Sequence, residues 1–227
     1  KITKVDTGSE KDQYIPRITW TPDNELVVFR MNRHQNKLEL LLADTKTGAT
    51  KTLLEEDNKY YVDIHDNLTF LKDGNFVWTS EMDGFNHIYV YNKSGKKIRQ
   101  LTKGDWEVSD FYGVDEKNGV VYFQAAKNSP VNREIYSVGL NGKKMREVAA
   151  KEGWNGAQFS STFDYYVNTH STANEPASYT VYNRKGEKLR VIEDNRDIAE
   201  LQKTYGATPV EFFDFTTSED VKLNGYM

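Results

Sequence analysis

An all-β fold, made of about four consecutive four-stranded antiparallel units, is what this sequence predicts, and three observations carry the expectation. A short polar phrase ending in glycine recurs four times at nearly constant spacing. The same strand-turn-strand pattern flanks each copy. Aromatic residues reach 13% of the 227 positions, and side chains of that kind fit half-buried pleated surfaces. Units of about 45 residues with four strands each have the size of β-propeller blades. A β-sandwich also uses many short strands, but a four-fold repeat of steady period is not expected of it.

The recurring phrases are Asp44-Thr-Lys-Thr-Gly48, Asn92-Lys-Ser-Gly95, Leu140-Asn-Gly142 and Asn183-Arg-Lys-Gly186, with glycines 47, 47 and 44 residues apart. Each reads as a tight polar turn in which glycine takes a positive φ. An apolar residue follows six positions later in every copy: Leu54, Leu101, Val148 and Ile192. Apolar or aromatic runs precede the turns at 38–42, 88–91, 135–138 and 179–182. Strand, turn and strand make one hairpin per repeat.

A second hairpin opens each repeat. In the first, Ile18-Thr-Trp20 and Leu26-Val-Val-Phe29 flank the turn Thr21-Pro-Asp-Asn24. In the second, Leu68-Thr-Phe-Leu71 and Phe76-Val-Trp78 flank Lys72-Asp-Gly-Asn75. The third runs from Val108 through Asp115-Glu-Lys-Asn118 into Val120-Val-Tyr-Phe123, and the fourth pairs Ala157-Gln-Phe159 with Tyr165-Tyr-Val167. The repeats therefore occupy 12–56, 60–104, 105–149 and 150–195, within a propeller segment of residues 1–195. The four tryptophans, Trp20, Trp78, Trp106 and Trp154, are expected to pack between blades.

Residues 196–209 leave the pattern. Arg196 to Tyr205 reads as a short helix, with Asp197 and Glu200 suited to a capping box and Gly206 and Pro209 ending it. Residues 210–227 read as a final hairpin turned at Ser218-Glu-Asp220, outside the repeat.

The net charge of −4, with both signs interspersed, excludes a nucleic-acid-binding stripe. The absence of cysteine excludes disulfides and thiolate metal sites. No stretch approaches the roughly 20 apolar residues of a membrane-spanning helix. The sequence starts at Lys1 without an initiator Met, so a secretory signal is expected to precede it.

Several strings resemble the dipeptidyl peptidase IV family of the prolyl oligopeptidase superfamily. They are Tyr14-Ile-Pro-Arg-Ile-Thr-Trp20, Asp83-Gly-Phe-Asn-His-Ile-Tyr89, Thr102-Lys-Gly-Asp-Trp-Glu-Val108, Leu189-Arg-Val-Ile-Glu-Asp-Asn195 and Val221-Lys-Leu-Asn-Gly-Tyr-Met227. In order and spacing they cover essentially the whole chain. The resemblance implies the second half of an eight-bladed propeller, followed at 210–227 by the first strands of an α/β-hydrolase domain. It implies a parent serine exopeptidase that releases N-terminal dipeptides with Pro or Ala in second position, and a periplasmic or secreted location. The propeller of such an enzyme gates the substrate cavity. Its partners would be the peptide substrate and its own hydrolase domain, with self-association through open blade faces. The alternative is a non-enzymatic propeller that binds a protein or glycan, since fold does not dictate function.

No G-x-S-x-G nucleophile elbow occurs, so no catalytic residue is assigned to the chain itself. Glu55-Glu56 reads as a solvated charge pair, not as the family's paired substrate-binding glutamates. His34 reads as a surface residue, and His87 and His170 as packed or hydrogen-bonded residues. Asp63-Ile-His-Asp66 offers His and carboxylate together, but three or four converging ligands are needed and no second cluster is present, so neither metal nor cofactor is expected. The candidate substrate-cavity rim is Tyr61, Asp63 and His65, because Tyr60-Tyr-Val-Asp-Ile-His65 precedes the first strand of a repeat. The family carries an aromatic and an arginine near this place. Here the string contains no arginine, and a carboxylate and an imidazole stand in its stead.

Overall fold

The structure, a computed structural model, describes residues 2–149 and 151–227. It divides into two compact units, residues 1–103 and 104–227.

The first unit holds two sheets. One is β1 (Gln13–Trp20), β2 (Leu26–Asn32), β3 (Lys37–Ala43) and β4 (Thr50–Asp57); the other is β5 (Thr69–Phe70), β6 (Phe76–Ser80), β7 (His87–Tyr91) and β8 (Lys97–Gln100). The second unit holds β9 (Val108–Asp115), β10 (Val120–Ala125), β11 (Glu134–Gly139) and β12 (Arg146–Ala149), then β13 (Trp154–Phe159), β14 (Tyr165–Ser171), β15 (Ser178–Asn183) and β16 (Lys188–Glu193). It continues through α1 (Arg196–Thr204) to the hairpin β17 (Phe212–Thr216) and β18 (Lys222–Tyr226). All four large sheets are antiparallel meanders with the strands in chain order.

The recurring polar phrase is the turn between third and fourth strands. In the first, second and fourth sheets an Asx side chain organises it: Asp44, Asn92 and Asn183 each accept hydrogen bonds from backbone N–H groups two to four residues on. In the third, Asn141 accepts from the Lys143 N–H. The closing glycines of all four turns have φ between 74° and 84°.

At Gly95 the backbone conformation is only half of the requirement. A Cβ there would collide with the carbonyl oxygen of Leu53 in β4, the outermost strand of the preceding sheet. Gly48 meets the Lys4 carbonyl in the same manner, and the segment around Lys4 is held there by the Asp6 N–H donating to Gly48 O at 2.8 Å.

Side chains fill the space between sheets within each unit. In the first unit Trp78 and Phe76 of β6 and Tyr89 of β7 are fully buried, and Trp78 faces Phe29 of β2 at 5.9 Å. In the second, Tyr122 of β10 sits between Phe159 (4.6 Å) and Phe163 (5.5 Å), and Tyr112 accepts the Ala157 N–H at 3.1 Å. Phe163 has φ 57°, a costly conformation for a bulky residue; its ring is held in stacked contact with Tyr122.

Three expectations need correction. Trp78 and Trp106 pack, the latter stacked on Phe123, but Trp20 is 60% and Trp154 47% exposed. Trp20 is the last residue of edge strand β1 and Trp154 the first of edge strand β13. The capping box is not formed: the helix starts at Arg196 with Asn195 as N-cap at φ 51° and no side-chain cap bond. The Asn195 amide donates instead to Ala177 O at 2.6 Å, tying the helix to the β14–β15 loop. Finally, Glu55 and Glu56 are not a solvated pair. Glu55 is exposed and pairs with Lys37 at 3.1 Å, whereas Glu56 lies opposite buried Leu38 and turns inward.

Candidate functional site

Residues 58–68 link the first sheet to the second, and backbone bonds fold them against the β2–β3 turn. The Asn58 N–H donates to Asn36 O and the Val62 N–H to Gln35 O, both at 2.9 Å. Val62 is buried by this pinning, while Tyr61 and Asp63 on either side of it project into solvent. Asp63 accepts the Ile64 N–H at 2.9 Å, which fixes its carboxylate locally. Tyr60 is also exposed, with the Lys59 ammonium 5.0 Å from its ring centre.

His65 points the other way. Its Nε2 is 2.9 Å from Thr79 O, its Nδ1 accepts the Asn67 N–H at 3.3 Å, and its ring lies 4.1 Å from that of Trp78. Asn67 adds a bond from Nδ2 to Thr79 Oγ1 at 2.9 Å. Burial lowers the His65 pKa and favours the neutral ring, which suits donation from Nε2 to a carbonyl. Of the three candidate rim residues, Tyr61 and Asp63 thus share the exposed surface, and His65 is the internal post that holds their loop to β6.

An arginine does reach this loop. Arg17 of β1, 49 positions from its partner, places Nε 2.7 Å from Asp66 Oδ1. The local string has none, and only the fold brings β1 to it. Asp66 is thereby engaged with Arg17 and His65 with Thr79, so Asp63, His65 and Asp66 do not converge. Among the described residues no group of three or more His, Cys, Asp or Glu is arranged to hold a metal ion.

Trp78 has a second polar neighbour: Glu56 accepts its indole N–H at 2.7 Å and a bond from Ser80. Burial raises its pKa above the ordinary carboxylate value and outweighs those two bonds.

The second unit has a comparable end, where the β10–β11 and β14–β15 loops and the link between β12 and β13 meet. They surround a recess of about 780 Å³ lined by Trp154, Phe212, Lys151, Glu175, Asn132 and Asn174 among others. The Lys151 ammonium stands 3.8 Å from the Glu175 carboxylate and 3.3 Å from His170 Nδ1. Asn174 bonds both backbone groups of Val210: Nδ2 donates to its carbonyl at 2.9 Å and Oδ1 accepts its N–H at 2.7 Å. The final hairpin is thus fastened at this end of the fourth sheet. Sequence reasoning singled out neither Asn174 nor Arg17.

A family model described as the dipeptidyl peptidase IV N-terminal region matches residues 1–177. Among curated proteins, the dipeptidyl peptidase 4 of Trichophyton rubrum is 28% identical over 95% of this chain and 29% of its own length. The probable dipeptidyl-aminopeptidase B of Aspergillus clavatus is 27% identical over 98% of this chain and 26% of its own. Among solved structures, Porphyromonas gingivalis dipeptidyl peptidase 4 superposes with a TM-score of 0.91 at 37% identity, covering 98% of this chain and 32% of that one. The chain therefore spans about a quarter to a third of the length of these relatives. The four sheets are propeller blades, and the chain belongs to the dipeptidyl peptidase IV N-terminal region family.

Proposed function

We propose that this chain is a non-catalytic propeller segment of a prolyl dipeptidyl peptidase, and that it shapes the cavity through which peptides reach a serine-hydrolase centre carried elsewhere in the parent protein. In this reading residues 1–195 are propeller, 196–209 a helical linker and 210–227 the first strands of the hydrolase domain. The parent acts outside the cytoplasm on peptides with Pro or Ala in second position, and exposed blade faces of the isolated segment associate with one another.

The observation that carries the reading is the place where the final hairpin is fastened. Asn174 holds Val210 at the end of the fourth blade that bears its β14–β15 loop. The corresponding end of the second blade, the one its incoming connection reaches, carries Tyr61 and Asp63. In this reading Tyr61 and Asp63 belong to the rim of the peptide cavity. His65 supports the rim through its bond to Thr79 and does not itself touch peptide.

In the full-length enzyme, Tyr61→Ala and Asp63→Ala should lower kcat/KM for peptides of six or more residues about five-fold, the worth of one contact of about 1 kcal/mol. A minimal dipeptidyl substrate, too short to reach the rim, should be cleaved almost unchanged. Equal effects on both substrates, or none on either, would remove this loop from the cavity. The isolated 227-residue chain should show no turnover of a Gly-Pro substrate, and activity blocked by a serine-directed inhibitor would contradict the non-catalytic assignment.

A further inference from the structure

The linker between the fourth blade and the final hairpin is fastened at both ends to one short loop. Where the linker begins, Asn195 takes a left-handed conformation and its side chain donates to Ala177 O. Where it ends, Asn174 engages both backbone groups of Val210. Ala177 and Asn174 belong to the same β14–β15 loop. That loop is itself ordered by Thr172, whose Oγ1 accepts the N–H groups of Asn174 at 3.1 Å and Glu175 at 2.9 Å.

The two ties differ in kind from the rest of the linker. The helix between them buries no residue, and its apolar Ile198, Leu201 and Tyr205 are all exposed. No packing of the helix therefore fixes where the hairpin comes to rest. The Asn174 amide does so in the way a paired strand would, offering one donor and one acceptor to a single residue. The side chain is exposed, and its loop and Phe212 both line the 780 Å³ recess, so the clasp also sets the mouth of that recess.

We propose that Asn174 is a positioning residue: its two-point bond to Val210 holds the hairpin β17–β18, and with it the domain that the hairpin begins, at a fixed height above the connector end of the fourth blade. The inference rests on the domain reading proposed above. Its consequence is that Asn174 governs how well long peptides are bound, without touching the reacting atoms.

The test uses the full-length enzyme with Asn174→Ala and Asn174→Asp. Hydrogen exchange at Val210 should quicken about tenfold in the alanine variant, which removes both bonds, and less in the aspartate variant, which keeps an acceptor for the Val210 N–H but loses the donor to its carbonyl. KM for peptides of six or more residues should rise several-fold in the alanine variant, with kcat on a minimal dipeptidyl substrate kept within twofold. Unchanged exchange at Val210 would overturn the clasp. Quickened exchange with KM unaltered for every substrate length would overturn the positioning role. If the unaltered parent cleaves no dipeptidyl substrate, the proposed function fails, and exchange at Val210 alone still decides whether the clasp exists.

Discussion

Replacing Gly95 by alanine should damage the first unit far more than its place in an exposed turn suggests. Two costs combine there. At φ 81° an alanine Cβ crowds its own backbone, at about 1–2 kcal/mol. The same Cβ would also drive into the Leu53 carbonyl, so the outer strand of the first blade must retreat from its neighbour. Leu53 and Leu54 are both buried, and shifting them adds about 1–3 kcal/mol, the usual range for forced overpacking. Together the two costs come to about 2–5 kcal/mol. Gly74 is the matched control. It lies in the same blade at φ 84°, but its Cβ would meet only the Lys93 side chain, at 3.6 Å, an ordinary contact. Gly74→Ala should therefore cost the backbone share alone, about 1–2 kcal/mol. Urea unfolding, followed by tryptophan fluorescence and circular dichroism, reads the difference between the two variants. If they agree within about 0.5 kcal/mol, the approach of the two blades at Gly95 contributes nothing and the reasoning fails.

Two further outcomes follow from buried titratable groups beside Trp78. Burial raises the Glu56 pKa above 4.5, so the folded state holds that proton more tightly than the unfolded one; the resulting stability is full below 4.5 and lost as pH rises through the raised value. Glu56→Gln, which can still accept from Trp78 Nε1, should gain stability relative to the parent between pH 4 and 8, and a relative loss over that span in urea midpoints would contradict it. Burial lowers the His65 pKa below 6.5, so its contribution is present above 6.5 and lost as pH falls through the lowered value. His65→Gln should flatten the stability profile on that acidic side, and an unchanged slope in thermal melts from pH 7 to 4 would count against it.

The blades were legible because two local signals coincide: turns that need an Asx or Gly at a set place, and apolar runs at a set distance from them. The buried side of Glu56 was legible too, had the alternation been followed outward from Leu54. A bulge at Leu53, between the Leu40 and Leu41 pairings, buries two leucines in succession and then leaves Glu55 outside and Glu56 inside. Other features had no local signal. Arg17 meets Asp66, and Asn174 meets Val210, across 49 and 36 positions, and an exposed Arg or Asn in a polar stretch looks like any other. His65 stands out in the sequence between two aspartates, but its direction depends on Thr79 in another strand. The helix start at Arg196 is legible, but its capping box is not formed, and the Asn195 side chain is spent on Ala177 instead of on a cap.

The approach of a carbonyl to a bare glycine, at Gly95 from Leu53 and at Gly48 from Lys4, has an evolutionary consequence. The contact is made by main chain on one side and by the lack of a side chain on the other, so it reads no residue identity in the neighbour. What the second blade requires of the first at this point is a main-chain carbonyl at the right height. The first two blades can then diverge in their side chains while the seam between them is kept, provided the turn keeps Gly95. Such a seam is well suited to growth by duplication, because a new copy fits its neighbours before any of its side chains has adapted to them.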